Sequence, residues 1–107
     1  MPATMTFELV AEPTRRRILD LLLERARPVG ELVGALGMSQ PAVSKHLRVL
    51  RDGGLVDVRV DGPRRWYALR AEPLAELDAW IGPYRRHWAG RLDDLERHLD
   101  ETAEDER

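Results

Sequence analysis

Two short amphipathic segments joined by a tight break constrain the fold of this chain more than any other feature. The first segment, Val29–Leu36, is followed by Gly37, a residue suited to the left-handed conformation that ends a helix. The second begins after Ser39, whose hydroxyl can accept an early backbone N–H, and carries Pro41 in its first turn. Its apolar stripe recurs at helical spacing: Val43, Leu47 and Leu50. The segment Val29–Asp52 therefore predicts two helices joined by a turn, which is the form of a helix-turn-helix unit.

Helical and strand patterns flank this unit. Upstream, the sequence predicts a short helix over Met5–Ala11 and an amphipathic helix over Thr14–Ala26. Downstream, Val56–Asp61 alternates valine with charged residues, and an Asp-Gly turn leads into a second predicted strand, Arg64–Leu69. The pattern predicts a β-hairpin, or wing, directly after the helix-turn-helix unit.

The C-terminal third carries one long, near-heptad apolar seam. Its residues follow one another at intervals of three or four: Leu74, Leu77, Ile81, Tyr84, Trp88, Leu92, Leu95 and Leu99. Gly82–Pro83 interrupts the seam and predicts a kink or two consecutive helices.

Together these patterns predict a single domain over residues 1–107 with a mainly α-helical, winged helix-turn-helix fold. Residues 5–70 would form the helices, the helix-turn-helix and the wing. Residues 71–101 would form a C-terminal helix or kinked helix pair, and residues 102–107 an acidic, frayed tail.

The charge of the chain is segregated along the sequence. The formal net charge is −2, but residues 13–70 hold 12 basic and 6 acidic residues, whereas residues 71–107 hold 5 basic and 11 acidic residues. A positive middle segment followed by an acidic segment is an asymmetry typical of nucleic-acid binding. Ordinary solvated helix surfaces are the alternative explanation.

Several classes of protein are excluded or disfavoured. The absence of cysteine excludes disulfide scaffolds, thiolate zinc sites and cysteine nucleophiles. The sequence contains no apolar run long enough to span a bilayer, and Met1–Glu12 does not resemble a secretory signal, so we expect a cytoplasmic protein. No glycine-rich phosphate loop or nucleophile motif is present, so we expect neither an enzyme nor a cofactor.

The second helix of the helix-turn-helix unit carries side chains that suit contacts with the bases and phosphates of DNA. In a helix-turn-helix this helix enters the major groove, and its N-terminal residues reach the base edges. Gln40 can bond an adenine edge, while Lys45 and Arg48 favour guanine or phosphate. The tip of the hairpin adds basic residues suited to phosphates or an adjacent minor groove: Arg59, Arg64 and Arg65.

Three segments together resemble the ArsR/SmtB family of bacterial winged-helix repressors: EPTRRRILDLL (Glu12–Leu22), SQPAVSKHLRVLRDGGLV (Ser39–Val56) and DGPRRWYAL (Asp61–Leu69). The resemblance covers roughly residues 5–100. It implies a homodimer that binds double-stranded DNA at an imperfect inverted repeat, with one recognition helix per half-site. It also implies a dimer interface built from the first and last helices, which suits a seam that so short a chain could hardly bury.

The resemblance also assigns individual residues. Those expected near DNA are Ser39, Gln40, Ser44, Lys45, His46, Arg48, Arg51, Arg64 and Arg65. Those expected in the dimer interface are Phe7, Leu74, Leu77, Ile81, Tyr84, Trp88, Leu92 and Leu95.

Structural roles compete with some of these assignments. Ser39 is equally a candidate helix cap, and His46 a candidate for packing or a backbone hydrogen bond. Arg15–Arg17 could form ion pairs with Asp20 or the acidic helices instead of binding phosphate.

The family resemblance raises the question of whether a metal ion or a small molecule regulates this protein. Its common cysteine metal site is missing from Pro28–Leu36. A second known site is matched in part by His87, His98 and Glu101, but an arginine replaces its first aspartate and the register is wrong, so we expect no metal. The aromatic residues at 80, 84 and 88 suit either the dimer core or a small-molecule inducer, whose identity the sequence leaves unknown. A competing function is a protein-interaction module whose acidic C-terminal helix recruits a partner.

Overall fold

The computed structural model describes residues 3–105 of the 107-residue chain, and the side chains of residues 5–103. Its elements follow in this order: α1 (Ala3–Ala11), α2 (Pro13–Glu24), β1 (Arg27–Pro28), α3 (Val29–Leu36), α4 (Gln40–Asp52), β2 (Val56–Asp61), β3 (Arg64–Leu69) and α5 (Leu74–Asp105). The predicted class, mainly α-helical with a small β-hairpin, is confirmed. The chain forms two compact units, Met1–Leu77 and Asp78–Arg107.

Arginine side chains join α1 to α2. The carboxylate of Glu12 caps α2 by accepting the backbone N–H of Arg15 at 2.8 Å. The guanidinium groups of Arg15 and Arg16 donate to the last carbonyls of α1, where a cation complements the helix dipole. The acceptors, at 2.7–2.9 Å, are the carbonyl oxygens of Glu8, Leu9, Val10 and Ala11. Both arginines therefore bind backbone carbonyls, and the hypothesis that they pair with Asp20 is wrong.

The turn between α3 and α4 follows the predicted chemistry. Gly37 has φ 64° and its N–H bonds the carbonyl of Val33 at 2.9 Å, so the left-handed helix stop is confirmed. The hydroxyl of Ser39 accepts the N–H of Ala42 at 3.3 Å, so its role as helix cap is also confirmed. These two local interactions fix the point where α4 begins.

One buried cluster holds α1 to α4 and the hairpin together. Its members are Leu9, Ile18, Leu19, Leu22, Leu32, Leu36, Val43, Leu47, Leu50, Leu55 and Val56. The apolar stripe of α4 thus faces inward, which leaves the opposite side of that helix to solvent.

The sheet has one strand more than the sequence predicts. The order is β1-β3-β2, and every pairing is antiparallel. In β1, Arg27 pairs with Tyr67 and Pro28 with Trp66, whereas the sequence pattern extended α2 to Ala26. A strand of two residues that includes a proline shows no periodicity, so only its tertiary pairing defines it.

A single helix, α5, runs from Leu74 to Asp105 with Pro83 inside it. Of the two predicted alternatives, a kink at Gly82–Pro83 or two consecutive helices, the second is therefore not found. Pro83 has no N–H to donate to the carbonyl of Ala79, four residues earlier, but Ala79 is exposed, so water can bond that carbonyl.

The C-terminal end of α5 continues as helix through Asp105, so the fraying predicted from residue 102 is not found in residues 102–105. The Thr102 hydroxyl donates to the His98 carbonyl at 2.9 Å. Residues 106–107 lie outside the described part. No helix among the described residues is long and apolar enough to cross a membrane.

Candidate nucleic-acid interface

The outer side of α4 presents a polar row of side chains. Gln40, Ser44, Arg48 and Arg51 follow one another at intervals of four, four and three, so they share one side of the helix. Gln40, Lys45, Arg48 and Arg51 are exposed, and Ser44 is half-buried. The inward stripe of the same helix fixes this orientation, because its buried leucines cannot rotate without losing the core.

The basic side chains of α4 and the hairpin have no partner among the side chains that the structure describes. Within residues 5–103, none of these six makes a hydrogen bond or an ion pair: Lys45, Arg48, Arg51, Arg59, Arg64 and Arg65. Other arginines are neutralised within the fold: Arg25 lies 2.7 Å from Glu31, and Arg70 lies 3.5 Å from Asp57. Among the described residues, unpaired basic side chains are thus found on α4 and the hairpin, and also at Arg17 of α2 and at Arg86 and Arg91 of α5.

The hairpin divides its three arginines between two faces. Arg65 is opposite Val60, whereas Arg64 is opposite Asp61 and Arg59 opposite Trp66. Opposed residues share a face and neighbours along a strand alternate, so Arg65 lies on one face and the other two on the reverse. The structure brings Arg65 together with α4 and does not bring Arg59 or Arg64 there.

His46 has an intramolecular contact. Its Nδ1 lies 3.9 Å from Oε2 of Glu12, and its side chain is only 23% exposed. The pKa of Glu12 lies below its ordinary value, chiefly because the backbone N–H of Arg15 donates to its carboxylate; the Thr14 N–H and the charges of His46 and Arg15 act in the same direction. This contact with a carboxylate is not the backbone hydrogen bond that was one predicted structural alternative for His46.

Tyr67 lies beside the candidate site, although the sequence did not predict it there. It lies on the same face of β3 as Arg65. Both residues border a notch between β3 and α4, whose lining on the helix side is Ser44, Leu47, Arg48, Arg51 and Asp52. The sequence does hold a signal for this position: Tyr67 is two residues from Arg65, and residues two apart in a strand lie on the same face.

The apolar seam of α5 remains largely exposed within this chain. Large side chains with roughly half or more of their surface exposed are Trp80, Tyr84, Trp88, Leu92, Leu95 and Leu99. The rings of Trp80 and Tyr84 lie 4.9 Å apart. Earlier in the helix, Leu74 packs against the buried cluster, while Leu77 and Ile81 are half-buried. Phe7 of α1 is 36% exposed.

The histidines of α5 do not form a metal cluster. His87, His98 and Glu101 are all exposed. Among the described residues, no group of three or more metal-ligating side chains converges.

Comparison with known proteins gives a consistent result. The family described as "Bacterial regulatory protein, arsR family" matches residues 12–58. The HTH-type transcriptional regulator Rv2034 of Mycobacterium tuberculosis is 36% identical over 99 residues, which are 92% of this chain and 90% of that protein. The uncharacterized HTH-type transcriptional regulator Rv0081 of the same organism is 44% identical over 72 residues, or 66% of this chain. The match spans 63% of the length of Rv0081.

A solved structure shares the fold. It is the homodimeric winged helix-turn-helix DNA-binding domain of Mb0332 from Mycobacterium bovis, a possible ArsR-family transcriptional regulator. The TM-score is 0.64 and the sequence identity is 32%, over 78% of this chain and 77% of that chain. The predicted winged helix-turn-helix is thereby confirmed.

Proposed function

Because this chain belongs to the arsR family of bacterial regulatory proteins, we propose that it is a DNA-binding transcriptional repressor that acts as a homodimer on an imperfect inverted repeat. The observation that carries the proposal is the set of six basic side chains on α4 and the hairpin that have no partner among the described side chains of residues 5–103. These side chains make α4 and the hairpin positively charged, which suits the phosphates of a nucleic acid.

Within the complex, α4 is the recognition helix. Gln40, Ser44 and Lys45 lie in its first two turns, where the side chains of a helix in the major groove meet base edges. Arg48 and Arg51 contact phosphates, and Arg59, Arg64 and Arg65 of the wing contact the neighbouring backbone or minor groove. Ser39 and His46 contribute through the position of α4, since each already has an intramolecular contact.

A second copy of the chain binds the other half-site of the inverted repeat. The exposed seam of α5 offers the partner a row of aromatic and leucine side chains. Mb0332, which shares the fold, is described as homodimeric. We place Phe7, Leu77, Ile81, Tyr84, Trp88, Leu92 and Leu95 in this interface, and Leu74 at its edge, because Leu74 also packs against the core of its own chain.

Repression requires nothing beyond these two surfaces. A dimer that occupies an operator excludes other proteins from that DNA, so a DNA-binding face and a dimer face suffice. We assign Met1–Leu77 to DNA binding and the following helix to dimerisation, and we expect the protein to act in the cytoplasm, as a non-enzymatic regulator.

Selection of DNA from a randomised duplex library tests the proposal. The expected result is an enriched inverted repeat whose affinity falls steeply as salt rises, because basic side chains displace counterions from phosphates. Recovery of no sequence, together with DNA binding that is undetectable even at low salt, would contradict it. That outcome would favour the competing function, in which the acidic helix recruits a protein partner.

A further inference from the structure

The three-stranded sheet carries a recess on the face that points away from the core, and the proposed function leaves this recess without a ligand. The opposite face packs inward, since Val56 is 1% exposed and Tyr67 and Leu69 pack against the buried cluster. The recess is open to solvent and has a volume of about 630 Å³, a size typical of small-molecule sites. The lining residues that determine its chemistry are Ala26, Asp57, Arg59, Asp61, Trp66 and Ala68.

Strand pairing places these side chains on one face of the hairpin. Asp57 is opposite Ala68 and Arg59 is opposite Trp66, and opposed residues of an antiparallel pair share a face. Asp61 is two residues beyond Arg59, so it lies on the same face. The recess therefore combines a half-buried tryptophan and a small apolar floor with a row of charged side chains along β2.

Two charges of opposite sign in the recess have no partner. Asp57 lies 3.5 Å from the guanidinium group of Arg70, so its charge is balanced within the chain. Among the side chains that the structure describes, Arg59 and Asp61 make no hydrogen bond or ion pair. Arg64 is opposite Asp61 but does not line the recess. A ligand that satisfies both groups presents an anion to Arg59 and a cation to Asp61.

We propose that this recess binds a free α-amino acid with an aromatic side chain. The carboxylate of the ligand accepts the paired N–H donors of Arg59, and its ammonium group donates to Asp61. Its ring packs against Trp66, because aromatic pairs add to the free energy of apolar burial. The small side chains of Ala26 and Ala68 leave space for that ring.

The recess binds its ligand independently of DNA, whereas the consequence for DNA rests on the proposed function. That function assigns Arg59 to the DNA backbone or minor groove. One guanidinium group cannot hold the carboxylate of the ligand and a phosphate together, so the amino acid and the operator compete for Arg59.

Titration of the full-length protein with L-phenylalanine tests the site, followed through backbone amide and tryptophan indole chemical shifts. Saturable shifts are expected around Arg59 and Trp66. Phenethylamine lacks the carboxylate and 3-phenylpropionate lacks the ammonium group, so each should bind about fivefold or more weakly than phenylalanine. Equal binding of the three compounds, or no saturable shift in the hairpin, would overturn the inference.

Arg59→Ala and Arg64→Ala form a matched pair of variants. Both remove an exposed arginine from the hairpin, but only Arg59 lines the recess. Arg59→Ala should weaken phenylalanine binding by about fivefold or more, whereas Arg64→Ala should change it by less than about twofold. Asp61→Asn should also weaken it, because the charge that meets the ammonium group is lost. Equal losses in the two arginine variants would show a general effect of charge and would overturn the site.

Operator binding in the presence of phenylalanine tests the competition. Saturating phenylalanine should lower the operator affinity of the wild-type protein but not that of Arg59→Ala. Phenylalanine binding that leaves the operator affinity unchanged would support the recess and contradict the contact of Arg59 with DNA. Phenylalanine binding by a protein that binds no DNA would support the recess and contradict the proposed function.

Discussion

Nδ1 of His46 on α4, the proposed recognition helix, lies 3.9 Å from Oε2 of Glu12, the carboxylate that caps α2. Thirty-four positions separate the two residues in sequence, yet they connect the start of α2 to the middle of α4. The same carboxylate accepts the Arg15 N–H, so one side chain caps the start of α2 and also faces the helix that carries the proposed DNA contacts.

The first prediction concerns the pH dependence of this cap. Because the pKa of Glu12 is lowered in the folded chain, its carboxylate stabilises the fold above the pKa that it has when unfolded. That contribution is lost as the pH falls through the lowered folded pKa. Glu12→Gln keeps the shape of the side chain but removes the charge, so it should lower the melting temperature at pH 7 and lower it less at pH 3.

Thermal unfolding followed by circular dichroism measures both melting temperatures. Glu8→Gln is the control, because Glu8 is an exposed carboxylate on α1 whose side chain makes no hydrogen bond or ion pair within the described residues. If Glu12→Gln lowers the melting temperature equally at pH 3 and pH 7, the charge of Glu12 is not the source of the effect.

The second prediction concerns the recognition helix. Lys45→Ala and Arg48→Ala should each weaken operator binding by about tenfold, or about 1.4 kcal/mol, without dissociating the dimer. A variant that loses a phosphate contact should also lower the slope of log affinity against log salt by about 0.9. Fluorescence anisotropy with the selected duplex at several salt concentrations measures both quantities.

Arg25→Ala is the matched control for these variants, because its guanidinium is already paired with Glu31. It should bind the operator like the wild-type protein. Normal operator binding by both α4 variants would contradict the assignment of α4 as the recognition helix.

The third prediction concerns two glycines with opposite surroundings. A Cβ on Gly53 would lie 2.1 Å from Cδ1 of Leu9, so Gly53→Ala forces the buried α1 leucine to move. Overpacking of this kind costs about 1–3 kcal/mol of folding free energy. A Cβ on Gly34, inside α3, would meet nothing within 4 Å, so Gly34→Ala should stabilise the fold by up to about 1 kcal/mol.

Urea unfolding of the two variants gives the free energies directly. The sequence treats Gly53 only as the residue that ends a helix, and its φ of −81° suits any residue. A neutral Gly53→Ala would therefore show that contact with Leu9 does not select glycine here.

The sequence predicts those features that local chemistry determines. Gly37 and Ser39 set the ends of α3 and α4 through bonds to residues three or four positions away, so both boundaries follow from the pattern. Pairing between distant residues leaves no such pattern. Strand β1 exists because Pro28 lies opposite Trp66, and His46 contacts Glu12 only in the folded chain. In the candidate site, the residue types on α4 were predictable, whereas the notch that Arg65 and Tyr67 form with that helix required the tertiary structure.

The last prediction concerns the direction in which two copies of α5 pair. The helix carries basic residues in its middle and acidic residues after them. The basic group is Arg85, Arg86 and Arg91, and the following segment is mainly acidic, with Arg97 as its one basic residue among Asp93, Asp94, Glu96, Asp100 and Glu101. Parallel pairing would place like charges side by side, whereas antiparallel pairing places each basic segment against the acidic segment of the partner. The apolar seam of one copy lies against that of its partner, and the charged segments of opposite sign face each other, when the two helices cross near Leu92.

Because the chain has no cysteine, single cysteines can report this geometry. Leu92→Cys should form a disulfide-linked dimer under mild oxidation, since both copies meet at that residue. Tyr84→Cys and Leu99→Cys should not link to themselves, but a mixture of the two variants should form a linked heterodimer, because the two positions lie on opposite sides of the crossing at nearly equal distances. Non-reducing electrophoresis separates these products. Self-linking of Tyr84→Cys and of Leu99→Cys, without heterodimer in the mixture, would instead establish parallel pairing.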